Sequence, residues 1–85
     1  MENDVFKKYL GIEFSGSDDP RYFARIFQIA TAEYKIPSEQ LEDEFKVTQS
    51  TIYRWQTAQS FPSETVRKVI IDRLAILCLQ KEQGL

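Results

Sequence analysis

Between Thr48 and Arg54 the chain places six hydrogen-bonding side chains in seven positions: Thr48, Gln49, Ser50, Thr51, Tyr53 and Arg54, with Ile52 the one apolar residue among them. Such groups donate and accept hydrogen bonds, and the guanidinium can hold an anion, but none is a nucleophile or base without a partner to activate it. Those partners are missing. The chain contains no His and a single Cys, which removes the imidazole general base, the serine and cysteine triads, an internal disulfide and the usual zinc clusters. Glu42, Asp43 and Glu44 bring carboxylates together, but with no glycine-rich phosphate loop and no second acid cluster at compatible spacing they read as a solvated face. Cys78 reads as a small apolar packing residue. The sequence thus predicts a protein that recognises rather than catalyses, with no cofactor and no metal. Taken alone, Gln49, Ser50 and Thr51 also fit plain solvated helix positions, and Arg54 a stacking or ion-pairing role.

The elements that must position these residues are two short helices broken at Phe45, Lys46 and Val47, spanning 38–56. Leu41, Glu44 and Phe45 have the spacing of one helical face, with Ser38 placed to cap the first helix. Thr48 caps the second, where Ile52 and Trp55 fall on one face and Gln49, Tyr53 and Gln56 on another. Helices this short do not persist alone, so Leu41, Phe45, Val47, Ile52 and Trp55 are expected to form a shared core with the flanking segments.

Those flanking segments are also helical in pattern. Residues 3–10 are expected to form a packing helix, with Val5, Phe6, Tyr9 and Leu10 on one face and Gly11 placed to end it. FSGSDD reads as a loop that closes on an Asp19 cap, and Pro20 is expected to open a helix to about Tyr34, with Phe23, Ile26, Phe27, Ala30 and Tyr34 as the buried stripe. Pro37 disfavours helical geometry at Ile36, so this helix should stop near Lys35. After the polar connection QTAQSFPS, Pro62 and Ser63 open a C-terminal helical segment over 63–82, either one helix or two with a break near Asp72. Val66, Val69, Ile70, Leu74 and Leu77 supply its core stripe. Ile71, Ile76, Cys78 and Leu79 are then left over, to be covered by the N-terminal helix or by a two-fold partner in a homodimer. No stretch alternates polar and apolar residues between turn signals, so the class is all-α with five or six helices in a single domain over 1–85.

At 85 residues, 42% hydrophobic and 28% charged, the composition is that of a folded soluble domain. The longest apolar run, near Val69 to Leu79, is interrupted by Asp72 and Arg73 and falls short of the roughly 20 residues of a membrane span. Glu2 and Asp4 stand where a signal peptide carries positive charge, so the expected location is cytoplasmic and reducing. The net charge of −2 opposes non-specific affinity for a polyanion, but it is unevenly spread. Residues 1–45 carry ten acids against five bases, and residues 46–85 carry six bases against three acids.

LEDEFKVTQSTIYRW resembles the helix-turn-helix of the lambda-repressor-like (Xre-like) family of DNA-binding domains, and the resemblance continues through TAQSFPSETVRKVI, about half the chain. Leu41, Val47, Thr48, Ile52 and Trp55 match the family's core and cap positions, and Pro62, Ser63, Val66, Val69 and Ile70 match the loop and helix that follow. Glu42 stands where the family usually has Ala, and Lys46 where it has a turn Gly; a Lys held in a left-handed conformation costs about 1 kcal/mol. The resemblance implies a transcriptional regulator of phage-repressor type that binds double-stranded DNA as a homodimer, with 48–56 as recognition helix in the major groove. On that reading Gln49 pairs with adenine, Arg54 pairs with guanine or holds a phosphate, and Ser50 lets the helix approach closely. Thr48, Thr51 and Tyr53 donate to bases or phosphates, Ser38 marks a helix N-terminus suited to a phosphate, and Lys46 lies near the backbone. The competing expectation is a protein-protein interaction module that keeps the fold without binding DNA.

Overall fold

The computed structural model describes Phe6, Tyr9 and residues 20–83, which form four α-helices and no strand. They are α1 (Pro20–Ala32), α2 (Ser38–Phe45), α3 (Gln49–Gln56) and α4 (Glu64–Glu82). The class is therefore all-α. The helix expected over 3–10 and the Asp19 cap lie outside the described residues, apart from Phe6 and Tyr9.

The centre of the core is α1. Proline at its first position has no N–H to leave unsatisfied, and every member of the expected stripe, Phe23, Ile26, Phe27, Ala30 and Tyr34, is buried. Tyr22, Ala24 and Ile29 are buried as well, so α1 packs on more than one side, against both α3 and α4. The helix ends at Ala32, slightly before the expected Tyr34. Tyr34 N–H donates to the Ile29 carbonyl at 3.2 Å and Ile36 N–H to the Ala30 carbonyl at 3.1 Å, while Lys35 turns left-handed at φ 58°. Both bonds reach further back than the helical i to i−4 step, so the chain widens into a left-handed closure with Lys35 in the place glycine usually takes.

Aromatic rings join α1 to the two short helices. Trp55, 7% exposed, meets Phe23 and Phe27 edge-on at centroid separations of 5.4 and 5.5 Å; Phe45 packs on Phe27 and Phe61 on Phe23, each at 6.1 Å. Leu41 and Ile52 are buried beside them, and Phe45 and Val47 are half-buried at the edge of the same cluster.

The helix α4 is continuous, which decides between the two forms open from sequence. Ser63 caps it by accepting from Val66 N–H at 3.4 Å. Its buried face corrects the expected stripe. Ile70, Ile71, Leu74, Ala75, Leu77 and Cys78 are buried, whereas Val66 is 45% and Val69 64% exposed. The segment is apolar around much of its circumference, so periodicity admits two stripes, and packing beside α1 selects the one centred on Ile71, Leu74 and Cys78. Ile71 and Cys78, expected to be surplus, thus belong to the core cluster that also holds Phe6; Ile76 and Leu79 are half-buried. Polar contacts fix the helix at two points: Tyr34 Oη donates to Glu82 Oε2 at 3.0 Å, and Arg73 pairs with Glu44 of α2 at 2.8 Å.

Candidate functional site

The hydrogen-bonding residues singled out from sequence lie on or beside α3. Thr48 is the N-cap, extended at φ −85° and ψ 162°, and its Oγ1 accepts from Thr51 N–H at 3.2 Å. Gln49, Ser50, Tyr53 and Arg54 are exposed, Thr51 is half-buried, and Ile52 and Trp55 point into the core. At about 100° per residue, Gln49, Tyr53, Thr57, Ser50 and Arg54 cover one continuous arc of roughly 140°. Within it Tyr53 presents 59% of its surface.

Part of that arc is linked by hydrogen bonds. Arg54 Nη1 donates to Ser50 Oγ and Nη2 to Thr51 Oγ1, both at 3.3 Å, and the Thr51 and Thr48 hydroxyls are 3.1 Å apart. The guanidinium is therefore folded back along its own helix towards the N-terminal turn. The other end of α3 closes through a left-handed residue, Ala58 at φ 62°, with Gln59 N–H donating to the Arg54 carbonyl at 2.8 Å.

Lys46 adopts the left-handed geometry that its place in the turn requires, φ 56° and ψ 46°, and its N–H and that of Val47 both donate to the Glu42 carbonyl. Its ammonium lies 3.7 Å from Asp43 Oδ1, with both side chains almost fully exposed. Such a pair contributes about 0 to 1 kcal/mol and leaves the charge available to another partner. Ser38 does not cap α2. Pro37 holds the cap position at φ −64° and ψ 144°, and its carbonyl accepts from Gln40 and Leu41 N–H, so Ser38 is already the first helical residue, half-buried. The proline sets the extended entry into the helix, which moves the cap one residue upstream of Ser38.

Sequence spacing did not show the contacts that orient α3 against α1. Gln28 Nε2 donates to the Gln56 carbonyl at 2.8 Å, and Gln56 Nε2 donates to Thr31 Oγ1 at 3.2 Å. Gln56, expected beside Gln49 and Tyr53, is thus half-buried and turned towards α1. No local signal marks such a clamp, because its members are 25 and 28 residues apart.

The segment that carries α3 has a positive formal charge. From Phe45 to Ser63 there is no acid, and the charges are Lys46 and Arg54. On α2, Glu44 is engaged by Arg73 and Asp43 by Lys46. Among the described residues the two strongly perturbed acids belong to the core. Burial, then the neighbouring charge of Glu82, pushes the Cys78 thiol up to about 12, and burial with the Glu82 hydrogen bond raises Tyr34 well above its ordinary value. Cys78 is accordingly a protonated packing group at neutral pH. Among the described residues no group of His, Cys, Asp and Glu could hold a metal ion, and no helix is long and apolar enough to cross a membrane.

Comparison with protein-family models, with curated proteins and with solved structures finds no match to this chain.

Proposed function

We propose that this chain is a sequence-specific double-stranded DNA-binding regulator of lambda-repressor-like type, with α3 as its major-groove helix. The carrying observation is the outward arc of α3: amide, hydroxyl, phenol and guanidinium groups on an acid-free stretch, backed by Ile52 and Trp55. A rigidly backed helix with such a face suits direct readout, in which Gln49 pairs with adenine and Arg54 with guanine. Lys46 in the turn then lies beside the phosphates, where it can exchange Asp43 for a phosphate oxygen. The reading includes a homodimer, in which a second copy covers the exposed Val66 and Val69 of α4 and sets two recognition helices about one DNA turn apart.

A second reading, an interaction module without DNA affinity, draws support from the exposed acids Glu39 and Asp43 on α2. Selection of bound duplexes from a random pool separates the two. The DNA reading predicts an enriched sequence, and Gln49→Ala and Arg54→Ala should each bind it more weakly by about 1 to 3 kcal/mol with the fold intact. Equal binding by wild type and both variants would remove the assignment.

A further inference from the structure

The geometry points to Ser50 and Thr51 as positioning residues for Arg54, setting which edge of its guanidinium meets a base, rather than as base-contacting residues themselves. This rests on the DNA-binding reading above and adds to it the origin of a guanine preference.

The three side chains form one network on the helix surface. Arg54 donates from Nη1 to Ser50 Oγ and from Nη2 to Thr51 Oγ1. The Thr51 hydroxyl is bonded in turn to Thr48 Oγ1, which also accepts the Thr51 N–H. The network therefore runs from the guanidinium to the N-cap that fixes the start of α3. Its members lie three and four residues before Arg54, so the cation is drawn about 5 Å, one helical turn, towards the end that carries Gln49.

Two consequences follow from the shape of the guanidinium. It is planar with its N–H groups in a fixed fork, so holding Nη1 and Nη2 on two hydroxyls fixes the plane and leaves an edge that includes Nε–H for a bidentate acceptor. The O6 and N7 atoms of guanine in the major groove form such an acceptor. Holding an exposed, rotamer-rich side chain in place before binding also lowers the ordering cost of the contact. Ser50 and Thr51 spend their hydroxyls on Arg54, so removing them should change preference at one base without removing a base contact of their own.

The test measures base preference across a duplex pool for the full chain and for Ser50→Ala, Thr51→Val, Thr51→Ser, Arg54→Ala and the triple variant Ser50→Ala/Thr51→Val/Arg54→Ala, with Trp55 fluorescence reporting the fold. Wild type should favour guanine at the position where Arg54→Ala loses that preference. Ser50→Ala and Thr51→Val should lower the guanine preference there by about tenfold, with preferences elsewhere unchanged. Thr51→Ser, which keeps the hydroxyl, should retain the wild-type profile, and the triple variant should match Arg54→Ala. The proposal is overturned if Ser50→Ala and Thr51→Val keep the guanine preference that Arg54→Ala loses, or if the triple variant loses preference at further positions. A wild-type chain that binds duplexes with no guanine preference dependent on Arg54 also overturns it, while leaving the DNA-binding reading standing. Enrichment of no duplex by the wild type overturns both.

Discussion

Ala58 closes the C-terminal end of α3 at φ 62°, a conformation in which an L-residue brings its Cβ too close to the following carbonyl. Ala58→Gly removes that contact and touches little else, because the methyl group is exposed. Relief is worth about 1 to 2 kcal/mol. Against it stands the larger conformational freedom of glycine in the unfolded chain, about 0.5 to 1 kcal/mol. The net expectation is a stabilisation of about 0 to 1.5 kcal/mol. For a domain of 85 residues, with an unfolding entropy of about 2.1 cal/mol/K per residue, this raises Tm by up to roughly 8 °C. Thermal unfolding followed by circular dichroism at the helical band measures it. Lys68→Gly, at an exposed position inside α4, is the control and should destabilise by about 1 kcal/mol. If Ala58→Gly lowers Tm as the control does, residue 58 is not left-handed and the account of how α3 ends is wrong.

Trp55→Ala should cost about 3 to 5 kcal/mol, since the indole is packed edge-on against Phe23 and Phe27, and a domain this small has little more to lose. Chemical denaturation tests this, and iodide quenching as efficient as for free tryptophan would place the ring outside the core. Alkaline pH should destabilise the fold through Cys78, whose thiol is raised from about 9 to about 12. The unfolded chain loses that proton first, so stability is intact below about pH 9 and falls as pH rises towards 12. Cys78→Ala should flatten this part of the stability-pH profile, and an unchanged alkaline slope would show that the thiol does not carry it.

Local signals in the sequence marked most of the helix ends. Pro20, Thr48 and Ser63 start helices because each satisfies or removes the free N–H groups of a first turn, a property of the residue itself. Ser38 misled because Pro37 already sets an extended backbone ahead of α2, so the proline carbonyl accepts the first helical N–H groups. The buried side of α4 was not legible for a different reason. Val66, Val69, Ile71 and Cys78 are all apolar, so a helical period fits two faces, and only the neighbours of α4 distinguish them. At the candidate site the types and exposure of Gln49, Ser50, Tyr53 and Arg54 follow from the α3 pattern. The folding back of Arg54 and the Gln28–Gln56–Thr31 clamp depend on rotamers and long-range packing that spacing does not encode.

The central claim is that α3 meets DNA, and the salt dependence of binding to a selected duplex tests it most directly. Lys46 and Arg54 are the cations of the acid-free stretch. With Arg54 on a base, Lys46 makes one phosphate contact per protomer and two per homodimer, a slope of about −1.8 in log K against log salt, so affinity should fall roughly tenfold between 50 and 200 mM salt. Lys46→Ala should lower affinity at every sequence and reduce the slope by about 1 per protomer, leaving base preference unchanged. No duplex binding at 50 mM salt, or binding that salt does not weaken, would contradict the account.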